Sequence, residues 1–490
     1  MCIAGLGLTE PDTCFILALG RWIVEHKAIP TSDPFSWTYA IMPNGLPFVV
    51  HQWLTDVIFY VLVKNFGSIS LIFLAALTTS IAFILVPLRI LSLTAVSIRL
   101  AVPIVTILAL ASCAHMNIRP EIFSYSLLAV LMEILLRTDQ FDKVNGATAI
   151  SLVMLVIAWC NLHSSFVMGP VLLTLWCTLS FIDATFFRIR TVNPTCWLAL
   201  PFCWLATLVN PAGIKLWLYL PHMFFTPLNP TINEMHSIDW HSLTSPIYYP
   251  YFILSGTFFF LLYKRIKYDG INKVGLKFPF FGLLAIAQGA SAQRMLTFAA
   301  ISLLPPIAVF LKGRSPESST STNLLEKLMQ RQRVTSTLLC LSTVLAGTLL
   351  VCWAIPPEVP ESTKAFHAPV GAMAFLDRHP QTGRLLNDPH FGDAMMWRMG
   401  NCPPLFLDSR YDVFDTKLVS QYWDMVLCRN DWQHLMQSLQ IDWIILPPQT
   451  ALVQTLSKDP LWKTLYSDSA ATILRKNDKD KDPKCDSTGG

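Results

Sequence analysis

Two carboxylates stand two residues apart near the start of the chain, Glu10 and Asp12, with Pro11 between them. A pair at this spacing can hold a divalent cation through oxygen ligands, or one member can take the proton of an attacking hydroxyl. Pro11 fixes its own φ and favours a defined, extended segment there. Other polar residues sit in short stretches between apolar runs. Asp33, His51 and Asp56 follow the pair; Arg119 and Glu121 precede one run; Asn161 and His163 share a short turn; Asn210, Glu234 and His236 fall in the stretch 210–246; Arg294 lies in another turn. Arg119 and Arg294 are candidate phosphate ligands, because a guanidinium donates charge-assisted hydrogen bonds to phosphate oxygens. An Arg at a membrane edge also reaches for water along its apolar stem, and loop polarity alone accounts for any one of these residues taken singly. The collection is the signal: several very short turns each carry a His, Arg or Asn where a bare turn would suffice.

The elements that must position these residues are membrane helices. Of 490 residues 53% are hydrophobic and only 14% charged, about half the charged fraction of a soluble domain. Lipid must be the solvent for much of this surface. The net charge of +4 implies no nucleic-acid partner. About ten segments are apolar enough to span or nearly span a bilayer: 67–88, 99–115, 120–136, 146–160, 165–182, 194–209, 247–263, 278–290, 295–311 and 335–355. Threading them puts sixteen Lys or Arg residues in the loops on one side, among them Arg89, Arg137, Lys264 and Lys277, against six in the loops opposite, with the region after 355 left out of the count: Arg21, Lys27, Lys64, Arg119, Lys215 and Arg294. The positive-inside rule makes the first side cytoplasmic. The candidate site residues and everything after 355 then lie outside the plasma (inner) membrane. The spans themselves are nearly free of ionisable groups, which argues against an ion-coupled transporter.

Six regions follow: an external stretch over 1–66 with interfacial helices, a transmembrane bundle over 67–311, a cytoplasmic connector over 312–334, a last transmembrane helix over 335–355, a small extracytoplasmic α/β domain over 356–476, and a disordered tail over 477–490. The domain rests on apolar runs at Leu405 to Leu407 and Trp443 to Leu446 alternating with a helical pattern over 432–440. Residues 13–24 read as an interfacial helix lying on the membrane. Placing 1–66 outside also implies a transmembrane helix upstream of the 490 residues. Cys402 and Cys428 share the C-terminal domain, either as a disulfide or, the simpler reading, as two unpaired thiols.

The strings EPDTCFILALGRWIVEHKAIPTSDPFSWT and LPFVVHQWLTDV, followed by NIRPEIFSY, WCNLHSSFVMG, LVNPAG, INEMHSIDW and SAQRMLTF, resemble a group of bacterial multi-pass membrane proteins related to GT-C fold glycosyltransferases. GRLLNDPHFGDAMMW, PPLFLDSRYDVF and DWIILPP are similar to that group's soluble domain. Glu10 and Asp12 match its acidic motif, Asp33 its D-P-F-S turn, and His51 and Trp53 its H-E-W-L helix. Arg119, Asn161, His163, Asn210, Glu234 and Arg294 match its other external positions. Glu10 replaces an Asp, which keeps the charge, and Gln52 replaces a Glu, which loses one. The resemblance implies an inverting enzyme that takes a sugar from a polyprenyl-phosphate carrier and passes it to a glycan, lipid or protein acceptor. Asp12, with Glu10 second, would be the acceptor's base, and Arg119 and Arg294 would hold the phosphate, with His51, Asp33, His163 and Glu234 lining the substrate. A divalent metal on Glu10 and Asp12 is compatible with this scheme. The competing readings are a non-catalytic assembly or binding protein on the same scaffold and, third, a transporter.

Overall fold

The computed structural model describes residues 11–42, 48–112, 117–139, 144–189, 194–225, 237–238, 245–312 and 368–477. Glu10, Glu234, His236 and the expected last span over 335–355 lie outside the described residues. The chain divides into two compact units. One, the helical unit, comprises Val50–Trp217 and Asn229–Val359; the other comprises Thr9–Val49, Leu218–Leu228 and Pro360–Gly490.

In chain order the first helix is α1 (Pro11–His26), and the helical unit follows with α2 (Trp53–Phe66), α3 (Ile69–Leu93), α4 (Ile98–Ser112), α5 (Glu121–Thr138), α6 (Gly146–Leu162), α7 (Met168–Phe186) and α8 (Pro194–Ala206). After α9 (Ile214–Phe225), α10 (Tyr249–Asp269), α11 (Lys277–Ser291) and α12 (Leu296–Leu311) complete it. Among the described residues three helices are long and apolar enough to cross a membrane: Ile69–Leu93, Ser164–Phe186 and Gln293–Leu311. Outward-facing Leu77, Ile150 and Leu205 are more than half exposed, at 55%, 65% and 61%. Apolar side chains presented in this way on several helices suit lipid and not water.

Helix α12 is the centre of this bundle. It packs against α3, α4, α5, α10 and α11, and its residues from Leu296 through Pro306 are all buried. Helix α3 passes through a π-turn at Ile81–Leu85 just before Pro87; the widened turn accommodates a ring that would clash with a regular helical carbonyl. Helix α6 starts where the Asn145 side chain accepts the Thr148 N–H at 3.2 Å, an N-cap bond. The sequence counts Lys277 among loop cations, but here it is fully buried at the start of α11. Its Nζ donates to Asp139 Oδ2 at 2.5 Å and lies 4.6 Å from the Trp176 ring centroid. Asp183 accepts the backbone N–H groups of Leu276 and Lys277. Two carboxylates thereby tie the ends of α5 and α7 to α11.

The second unit is α/β. Its sheet has the order β1-β2-β4-β3, built from β1 (Arg384–Asn387), β2 (Ile441–Leu446), β3 (Trp462–Ser467) and β4 (Thr472–Lys476). The β1–β2 pair is parallel and the others antiparallel. Strand β2 is buried on both faces, as its unbroken apolar run requires. Trp443 and Ile445 face α1, α13 (Val370–Arg378) and α14 (Pro389–Arg398); Ile444 and Leu446 face α15 (Thr416–Val426), α16 (Trp432–Ser438) and α17 (Ala451–Leu456). The apolar run at Leu405 to Leu407 is not a ladder strand. Leu405 instead makes an isolated parallel bridge to Ser36, and Asn387 satisfies the next residues by accepting from Phe406 N and donating to Leu407 O, each at 2.8 Å.

Two further readings change. The structure assigns residues 9–49 to the same unit as 360–490, where the sequence drew one external stretch over 1–66. Helix α1 is sixteen residues long and buries its apolar face in protein, with Ile16 and Ala18 almost fully covered beside α14. Arg21 fixes that packing by donating to Trp397 O at 3.1 Å and Met396 O at 2.6 Å, two carbonyls at the α14 C-terminus, where a cation is favoured. An apolar face so covered is not available to lie on a membrane. Cys402 and Cys428 are free thiols, as the simpler sequence reading had it.

Candidate functional site

In the helical unit the candidate residues gather at the N-terminal end of α5 and the turn between α6 and α7. Asn161 closes α6: its Oδ1 accepts Trp53 Nε1 at 2.8 Å, and its Nδ2 donates to Ile157 O and Val209 O, both at 2.8 Å. Thr55 Oγ1 donates to Leu162 O. Asn161 therefore holds α2, α6 and the end of the α8 segment together, which is structural work.

His163 follows directly. Its Nδ1 accepts the Ser165 backbone N–H at 3.2 Å, and a backbone N–H can only donate. Nδ1 is therefore the lone-pair nitrogen, and the neutral ring carries its proton on Nε2. That nitrogen lies 3.7 Å from Glu121 Oε1. Burial pushes the His163 pKa down to about 4, with Glu121 working against the shift and His51 and Arg294 adding to it. Geometrically the His163–Glu121 contact would count as an ion pair; the acceptor role of Nδ1 and the burial make it a contact of a neutral imidazole with a carboxylate. Ser124 and Ser165 complete the surroundings of Nδ1, their hydroxyls 3.0 and 2.8 Å from it, and Trp159 Nε1 donates to both serines.

The charges of Glu121, Arg294 and Arg119 all reach the Tyr125 hydroxyl, one turn along α5. His163 and Glu121 are in contact, and the charges of His51 and Arg294 act on His163 while those of Arg119 and Arg294 act on Tyr125. Ser124, Tyr125 and Ser165 join them unannounced; serines and a tyrosine inside apolar runs give no signal until the helices are packed.

Asp12 and Asp33 belong to the other unit. Asp12 sits in the first turn of α1, where its Oδ1 accepts the Ser409 hydroxyl at 3.1 Å. Beside it lies Asp393, fully buried on α14. Burial holds the Asp393 carboxyl up at about 7, with Asp408 and Asp12 raising it further and His390 opposing. The Asp393 carboxylate, its Oδ2 3.9 Å from His390 Nδ1, in turn raises His390. Neighbouring carboxyls pushed apart in pKa can serve as an acid and a base, but Asp393 is sealed from solvent and can act on a substrate only through Asp12 or His390. Asp33 Oδ1 accepts Arg410 Nη2 at 3.0 Å, and Asp408 takes the same guanidinium in a bidentate contact at 2.8 and 2.6 Å. Burial raises Asp408 and Arg410 lowers it; the short bidentate geometry keeps the pair ionised. Asp33 is therefore part of a buried charge network, not a solvent-facing ligand.

Among the described residues no group of three or more His, Cys, Asp or Glu side chains is arranged to hold a metal ion. The expected metal pair needs Glu10, which lies outside them. No protein-family model matches the chain, and no curated protein matches it either.

Proposed function

We propose that the chain is a membrane glycosyltransferase that moves a sugar from a polyprenyl-phosphate carrier to an acceptor on the external face. The observation that supports this reading is the Glu121 carboxylate at the start of α5, 3.7 Å from His163 Nε2, in a region where the charges of Arg119 and Arg294 are also felt. A phosphate leaving group needs cationic donors at the point where its charge develops, and a lipid-borne donor needs them at a membrane surface. In the reaction the acceptor oxygen attacks the anomeric carbon, the carbon–oxygen bond to the phosphate breaks, and the acceptor's proton passes to a carboxylate. Attack opposite the departing phosphate inverts the anomeric configuration. Asp12 is the base on the sequence resemblance. Glu121 is the carboxylate whose charge acts on Tyr125 together with those of the two arginines.

The test is sugar transfer from polyprenyl-phosphate donors by the full chain in vesicles. Loss of transfer in R119Q and R294Q, with thermal stability retained, is the expected result; full transfer by both variants overturns the reading. The pair D12N and E121Q separates the two candidate bases, since only the variant lacking the base loses turnover while keeping donor binding.

A further inference from the structure

The other end of α5 carries a second arrangement of charges that the proposed reaction does not use. Arg137 is sixteen residues from Glu121, about 24 Å along the helix axis at ~1.5 Å per residue. Glu133 is almost buried and bridges two arginines: Arg89 Nη2 of α3 at 2.9 Å and Arg137 Nη2 at 2.5 Å. The arginine side chains remain 58% and 42% exposed. The cluster carries two positive charges against one negative. Each guanidinium has five N–H donors, and both arginines approach the same carboxylate oxygen, Glu133 Oε1, as ion pairs.

These three residues form the polar end of a cleft of about 1060 Å³ between α3, α5 and α6. Leu85, Leu127, Val130, Ile134 and Leu155 make its apolar wall. Small-molecule sites enclose ~300–1,000 Å³, so the cleft is large enough for an extended ligand. Its wall lies on a helical unit whose outer surface is apolar and lipid-suited. A ligand that fits must be long and apolar on one side and anionic at one end.

We propose that this cleft binds one anionic membrane phospholipid, its phosphate on Arg89 and Arg137 and its acyl chains along the apolar wall. Glu133 is a positioning residue: it holds both guanidiniums at the mouth and lowers the local charge enough to favour a single phosphate over general attraction to an anionic surface. The site is independent of the transferase reading, since it shares no residue with the Arg119–Arg294 cluster.

Native mass spectrometry of the delipidated full chain, titrated with phosphatidylglycerol or phosphatidylcholine, tests this. Wild type should retain one phosphatidylglycerol about tenfold more strongly than phosphatidylcholine, whose quaternary ammonium is repelled by the same two arginines that hold the phosphate. The triple variant R89Q/E133Q/R137Q leaves no carboxylate stranded and should lose the preference; R89Q alone, which keeps the Arg137–Glu133 pair, should weaken it. K264Q/K267Q, on exposed lysines elsewhere, should keep it. Equal retention of the two lipids by wild type overturns the proposal, as does an unchanged preference in the triple variant or an equal loss in K264Q/K267Q. Displacement of the lipid by excess glycerol phosphate would leave a plain phosphate site and also overturn it.

Discussion

Replacing Arg410 by Met removes the one cation from a buried network that contains two carboxylates. Arg410 is 6% exposed, and the Asp33 and Asp408 side chains facing it are fully buried. In the variant both carboxylates would remain charged and without their counter-ion, which chains avoid by protonating one. At pH 7 that costs about 1.4 kcal/mol for each pH unit above a reference pKa of ~3.9, or about 4 kcal/mol in all. The figure agrees with the ~3–5 kcal/mol for breaking a buried pair from one side. The sign follows from proton uptake. The folded variant holds a proton that its unfolded chain releases above ~4, so its stability rises as pH falls. The deficit against wild type should shrink to about 1.5 kcal/mol by pH 5. Hydrogen exchange of the β2 amides, which report the largest openings of the unit, measures this once corrected for intrinsic exchange rates. R410M/D408N, which keeps the net charge of the wild-type network at one negative, should recover most of the loss at pH 7. The variant should also expose residues 35–42, because Asp33 anchors the segment that bridges Ser36 to Leu405. A deficit that does not change between pH 7 and pH 5 would show the loss to be one of packing and would refute the charge argument.

Three further perturbations follow from the same packing. Lys277→Met leaves Asp139 without its ammonium partner and should cost ~3–5 kcal/mol in thermal unfolding of the detergent-solubilised chain, with K277M/D139L recovering most of it. Gly392→Ala places a Cβ 2.7 Å from Asn387 Nδ2 and 3.1 Å from Leu407 O; the displaced Asn387 loses its bonds to residues 406 and 407, for a loss of ~1–3 kcal/mol seen in exchange of the Phe406 amide. His163, held at about 4 in the fold, takes up a proton in the unfolded chain first, so stability of the helical unit should fall as pH drops from ~6.5 towards 4, by about 3 kcal/mol in sum. In H163Q the melting temperature should lose that part of its pH dependence.

What the sequence could announce was whatever depends on neighbours in the chain. The expected span over 146–160 is helix Gly146–Leu162 and that over 194–209 is Pro194–Ala206, because an apolar run bounded by polar turns needs no knowledge of its partner. Strand β2 was legible for the same reason. What could not be read depends on contacts distant in sequence. An apolar run of twelve residues looks the same whether its face meets lipid or protein, and only α14, more than 360 residues further on, decides it for α1. Helix Ile214–Phe225 lay unseen in an expected loop, since twelve residues interrupted by Pro221 fall short of a span. Lys277 and Asp33 were each given to solvent because a charge is normally exposed unless paired, and their partners Asp139 and Arg410 lie 138 and 377 residues away. The same reasoning bears on the reaction. Asp12 owed its candidacy to a neighbour in sequence, Glu10, whereas Glu121 is singled out only when the start of α5 meets the α6–α7 turn at His163. A base must be chosen by what stands around the phosphate, so the comparison of E121Q with D12N weighs the two kinds of inference directly.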